Sequence, residues 1–167
     1  MTLRVLALLA VGIVGAGSVG AADPAKPGSS PAGRLAHMVA LPDDVKWGPA
    51  PAVLPAGAQF AVLDGDPTKA GSFTIRLKAP DGYMIPAHWH PTDENVTVIS
   101  GSFGIGLGDM FDKEKVRYLP AGSYVRLGKE ERHFAVTKGE TVVQVHGSGP
   151  FEINFVNPAD DPRKKDK

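Results

Sequence analysis

Gly82-Tyr83-Met84-Ile85-Pro86-Ala87-His88-Trp89-His90-Pro91-Thr92-Asp93-Glu94-Asn95-Val96-Thr97-Val98-Ile99-Ser100-Gly101 is the stretch on which the fold turns. His88 and His90 stand two apart in a run with strand character, and a period of two puts both imidazoles on one face. Pro91-Thr92-Asp93 is turn sequence that can swing the chain into an adjacent strand and return the Glu94 carboxylate to the same point. His133 would come from a distant strand and close the group. Imidazoles and a carboxylate form a borderline N/O donor set, suited to one divalent metal ion.

Outward from this stretch, short β-rich runs recur at regular spacing, each closed by Gly, Pro or Asp, the pattern of an all-β sandwich or barrel. They are Gln59 to Leu63, Ser72 to Lys78, Tyr83 to His90, Asn95 to Ile99, Ser102 to Leu107, Ser123 to Leu127, His133 to Thr137, Thr141 to His146 and Phe151 to Val156. Phe73, Ile75 and Leu77 share one face of their run while Thr74, Arg76 and Lys78 share the other. No long amphipathic helix is expected; Asp109 to Tyr118 suits one short helical turn through Glu114, Lys115 and Arg117. Residues 34–58 carry several prolines and read as an extended arm laid on the barrel.

The spacing Gly82, five residues, His88, one, His90, three, Glu94, six, Gly101 resembles the first cupin motif, G-x5-H-x-H-x3-E-x6-G, at every fixed position. The second, G-x5-P-x-G-x2-H-x3-N, is matched in spacing by Gly122, Gly128, Glu130, His133 and Thr137. Here Gly128 replaces the proline, Glu130 the glycine and Thr137 the asparagine. Gly128 is expected to lend the turn flexibility, and Glu130 has no evident backbone role. The resemblance covers residues 59–156 and implies a single-domain cupin, a double-stranded β-helix or jelly-roll barrel with His88, His90, Glu94 and His133 in its mouth. It implies one divalent metal, with iron or manganese the first choice and zinc, nickel or copper as alternatives. Pairing into a homodimer is implied as well.

Trp89 lies between two ligands and by alternation points away from the metal. Met84 and Pro86 share the face of His88 and are candidates to line a pocket. Val142, Gln144 and His146 share a face that is either cavity or solvent, so Gln144 and His146 are further pocket candidates. Tyr83, Phe103, Phe134 and Phe155 read as core, and His37, in the arm, as structural or exposed. Asn95-Val96-Thr97 matches a glycosylation sequon but sits in strand sequence, where acceptor loops are not found. Ser123 and Ser148 lack the context of a nucleophile elbow.

The first 22 residues have one basic residue, Arg4, an apolar stretch from Val5 to Val14 and small residues at Gly20-Ala21-Ala22, the make-up of a cleaved signal peptide. A flexible polar linker is expected over 23–33, and a charged, solvated tail over 157–167. Gly15-Ala16-Gly17-Ser18-Val19-Gly20 imitates a dinucleotide motif, but Pro24, Pro27 and Pro31 preclude the helix that motif needs. With 18 basic and 18 acidic residues there is no charge argument for a nucleic-acid partner, and no apolar run argues for a membrane span in the mature chain. The absence of cysteine excludes thiolate ligands, disulfides and cysteine nucleophiles. The expected protein is periplasmic or secreted and acts on a small-molecule substrate or ligand. An oxidoreductase of the dioxygenase kind is the first expectation. A metal-assisted isomerase or lyase and a non-catalytic binding or sensor module are the alternatives, and no catalytic residue beyond the ligands is identifiable.

Overall fold

The computed structural model describes residues 38–164; the leader, the linker, His37 with the start of the arm, and the last three residues lie outside the described residues. The strands are β1 (Gly48–Pro49), β2 (Gln59–Gly65), β3 (Gly71–Ala79), β4 (Met84–Trp89), β5 (Glu94–Leu107), β6 (Arg117–Pro120), β7 (Tyr124–Leu127), β8 (His133–Gly149) and β9 (Asn154–Phe155). All pairings are antiparallel. No described helix is long and apolar enough to cross a membrane.

Two long strands, β5 and β8, pair with each other along their lengths and belong to two sheets at once. The C-terminal half of β8 and the N-terminal half of β5 continue the order β1-β2-β3-β8-β5-β7. The other halves form β9-β4-β8-β5-β6. This is the double-stranded jelly roll expected from the sequence, left open at its edges. Four of the expected runs therefore merge into two strands. Gly101 at φ 76° and Gly139 at φ 74° bend the chain without ending it. At Gly101 a Cβ would fall 2.4 Å from the Glu140 carbonyl oxygen, so only glycine lets β5 and β8 turn the corner together. The expected helical turn is a 3-10 turn at Lys113–Lys115, and the strand directly after it, β6, is not among the expected runs.

The inner faces alternate as β-pleat geometry requires: Phe73, Ile75, Leu77, Val96, Val98, Val143 and Val145 face Ile85, Phe103, Ile105 and Ala135 across the core. Burying each of the larger side chains contributes roughly 1.5–3 kcal/mol. Around Tyr83 and Phe103 the packing leaves a void of only about 10 Å³. The arm is tied down by the Tyr83 hydroxyl, which donates to the Pro55 carbonyl at 2.6 Å, and by buried Leu54 and Ala58. At the other end of the chain the expected solvated tail is partly built in. Asp161 is 7% exposed, and Arg163 grips it through Nε and Nη2 at 2.8 and 2.7 Å.

Candidate metal centre

Three strand ends meet at one side of the barrel. His88 and His133 are directly paired residues of β4 and β8, His90 follows β4, and Glu94 opens β5. The His88 and His133 ring centroids are 4.2 Å apart, and those of His90 lie 5.0 and 5.3 Å from them. The ligand atoms of the three histidines all fall within 4.8 Å of one another, so the cluster can hold a metal ion. Glu94 Oε2 lies 3.3 Å from His133 Nε2 and 3.6 Å from His90 Nε2. None of the three histidines is more than 3% exposed.

The hydrogen bonds fix the tautomers. Each Nδ1 meets a backbone carbonyl: His88 that of Pro86 at 2.7 Å, His90 that of Glu152 at 2.7 Å and His133 that of Glu131 at 2.9 Å. A carbonyl only accepts, so each Nδ1 carries a proton, and in the neutral ring Nε2 is then the nitrogen that keeps the lone pair. His90 Nε2 is buried without a hydrogen-bond partner among the described residues. A lone pair on His133 Nε2 facing the Glu94 carboxylate at 3.3 Å is likewise an arrangement that a proton or a cation must bridge. Burial, with the neighbouring His133 and His90, depresses the His88 pKa to about 3, and burial also lowers that of His90. Burial pushes the Glu94 carboxyl up, but the adjoining His133 and His90 outweigh this and hold it at about 2. For His88, His90 and Glu94 these directions favour the neutral imidazole and the ionised carboxylate that metal binding needs.

The donor set opens into a cavity of about 550 Å³. Its walls are mostly apolar, with Phe60, Ile75, Ile85 and Val145 from the strands, Val53 and Leu54 from the arm, and Phe151 and Ile153 from the segment leading to β9. Thr68, Glu152, Asn154 and Arg163 are its other polar residues besides His88, His90 and Glu94. The expected pocket residues are elsewhere. Met84 is 41% exposed, because one extra residue in β4 between Ile85 and His88 shifts the alternation and turns Ile85 inward instead. Gln144 and His146 lie on the outer face, since Val143 and Val145 face the core. Arg76 donates to the Gln144 amide oxygen at 3.1 Å, and His146 is exposed. Trp89 does not line the cavity, while Tyr83, Phe103 and Phe134 are buried. Asn95, of the sequon, is engaged on the outer face by the Tyr124 hydroxyl at 2.6 Å. The alternation of Phe151 and Ile153, continued by Phe155 beyond the cavity, is the signal in the sequence that could have pointed to this wall.

A family profile described as the ChrR cupin-like domain matches residues 35–152, well over half of the chain. The chain belongs to this cupin family. No curated protein sequence matches it significantly. Among solved structures, this cupin is similar to the polyketide cyclase RemF from Streptomyces resistomycificus, with TM-score 0.60, 17% identity, and 77% and 91% of the two chains covered. It is also similar to a putative acetylacetone dioxygenase from Methylibium petroleiphilum, with TM-score 0.58, 22% identity and coverage of 75% and 85%. An RmlC-like cupin from Shewanella frigidimarina aligns with TM-score 0.52, 15% identity and coverage of 65% and 87%. At these identities the likeness concerns the fold.

The loop bearing the altered second motif is firmly built in this cupin. Glu130 sits at φ 62°, so it occupies the left-handed conformation of the glycine it replaces, contrary to the expectation that it has no backbone role. Its N–H donates to the His90 carbonyl at 2.8 Å. Gly128 lends no looseness. Its N–H, which a proline would lack, donates to the Glu131 carboxylate at 2.9 Å, and Lys129 N–H donates to Asp93 Oδ1 at 2.8 Å. Thr137, in place of the asparagine, accepts from Tyr83 N–H at 2.9 Å and donates to the Pro80 carbonyl, fastening the turn that starts the first motif.

Proposed function

We propose that this cupin is a metal-dependent oxidoreductase of the dioxygenase kind, acting on a small, largely apolar molecule that carries an oxygen donor. The observation that carries the reading is the convergence of three Nε2 lone pairs and the Glu94 carboxylate at the wall of a mostly apolar cavity of about 550 Å³. Nε2 of His88, His90 and His133 together with Glu94 would hold one divalent ion, iron or manganese first, which supplies Lewis acidity and redox chemistry when bound. The remaining work falls to the chain. The backbone carbonyls of Pro86, Glu152 and Glu131 keep the Nδ1 protons in place and the rings oriented. Phe60, Ile75, Ile85 and Val145 give an apolar body its binding surface and keep bulk water from it. The four ligands bring a single negative charge, so a dication there retains one positive charge, best matched by a monoanionic oxygen donor such as a phenolate or enolate.

One observation favours a non-catalytic metal-dependent binding module as the second reading. Beyond the ligands, the cavity offers among the described residues only Glu152 and Arg163 as ionisable groups, and Arg163 is engaged by Asp161. The structural neighbours include a cyclase and a dioxygenase, so the fold itself does not choose the chemistry. The test is metal content per chain for the parent and for His88→Ala, Glu94→Ala and His133→Ala, followed by oxygen uptake with phenols and diketones. One ion per parent chain, lost in His88→Ala and Glu94→Ala and strongly weakened in His133→Ala, with oxygen consumption by the parent, is expected. Parent-like metal content in His88→Ala overturns the metal centre; stoichiometric metal with saturable binding and no product transfers the protein to the second reading.

A further inference from the structure

The three histidines are not held alike. His88 and His133 find their carbonyl partners two residues back in the chain, so their own backbone orients them. His90 depends on the Glu152 carbonyl, 62 residues away, in the segment that leads from β8 to β9. One hydrogen bond restrains the ring only at Nδ1 and, within the tolerance of that bond, leaves it room to roll about its Cβ–Cγ bond, and that roll swings the Nε2 lone pair. Phe151, the residue before Glu152, stacks on the His90 ring with centroids 4.1 Å apart and planes 16° from parallel. It blocks the roll.

Phe151 is itself fixed. Its ring packs on Phe73 at 5.0 Å, and its N–H donates to the Pro67 carbonyl at 2.7 Å. It also lines the cavity. We infer that Phe151 is a positioning residue for the metal centre: its ring sets the direction of the His90 Nε2 lone pair while closing the cavity on the same side. The role rests on the metal-centre reading above. Through this one ring, a molecule filling the cavity lies against the side chain that orients a ligand.

The full chain with Phe151→Leu and with Phe151→Tyr tests this, with cobalt(II) alone as the probe and two readouts, apparent Kd and the visible absorption of the bound ion. Losing a partner that orients a metal-ligating histidine costs about 10- to 100-fold in affinity. Phe151→Leu should therefore weaken cobalt binding at least about tenfold and alter the absorption band, while Phe151→Tyr, which keeps a stacking ring, stays close to the parent in both. A parent-like Kd and band in Phe151→Leu overturns the inference, and so does a Phe151→Tyr as impaired as Phe151→Leu. Solvent exchange of the His90 Nδ1 proton, followed by NMR in the metal-free proteins, is a third readout that needs no metal: faster exchange in Phe151→Leu supports the role, and unchanged exchange removes it. Failure of the parent to bind cobalt is a failure of the metal centre, and the proton-exchange result still decides for Phe151.

Discussion

Acidifying the metal-free protein should destabilise it through the same histidines that would bind the ion. His88 titrates near 6.5 in an unfolded chain and near 3 in the fold, where burial and its histidine neighbours disfavour the imidazolium. A depressed folded pKa contributes stability that is fully present above the unfolded value and is lost as pH falls toward the folded one. The unfolded chain is half protonated at this residue at pH 6.5 and almost fully so at 4.5 while the fold stays nearly unprotonated there, and integrating over the two pH units removes about 2.3 kcal/mol. His90, lowered by burial, acts in the same direction. Glu94 contributes mainly below its unfolded value of 4.5, so the imidazoles dominate the window. The loss is a large share of the 5–15 kcal/mol that holds a typical domain together. Urea unfolding of chelator-treated protein at several pH values measures it, with His88→Gln as the comparison, whose slope should be shallower by up to about 1.36 kcal/mol per pH unit. Stability that is flat from pH 6.5 to 4.5, or a His88→Gln slope equal to that of the parent, refutes the reasoning.

Glu130→Gly should stabilise the chelated protein by about 0.5–1 kcal/mol, because a left-handed conformation costs a side-chain-bearing residue about 1–2 kcal/mol and glycine returns part of that as chain entropy. The side chain it removes is exposed and makes only a 3.7 Å surface pair with Lys129, so a lower urea midpoint would refute the backbone argument. Tyr83 is pushed up to about 12 by burial, so its contribution is intact below pH 10 and is lost as pH rises from 10 to 12. Absorbance at the tyrosinate band should show one of the three tyrosines titrating near 12 and missing from Tyr83→Phe; three ordinary titrations would contradict its burial.

The all-β architecture and the three-histidine cluster were legible because their signals are local and stereochemical. Gly82 and Gly101 sit at φ 69° and 76°, where a side chain is strained, and between them the two histidines keep strand spacing. The errors came where a local pattern meets a distant constraint. Gly101 and Gly139 look like terminators in sequence, yet they bend strands that each serve two sheets. A one-residue bulge after Ile85 defeats counting by twos and sends Met84 to solvent. Gln144 and His146 could be given a shared face from sequence but not told which side of the sheet it is. The stack of Phe151 on His90 joins residues far apart in the chain, and nothing in either neighbourhood announces it.

The cavity's walls outside the barrel strands differ in what they are attached to. Phe151 and Glu152 touch a ligand histidine, so replacing them disturbs the centre along with the wall. Pro51, Val53 and Leu54 line the same space from the arm, and none of the hydrogen bonds or ring contacts of the three histidines involves them. Selection can therefore reshape what the cavity admits on the arm side while leaving the ion's surroundings intact. Lineages of this family that diverge in ligand preference should carry their substitutions in the arm and keep the opposite wall nearly constant.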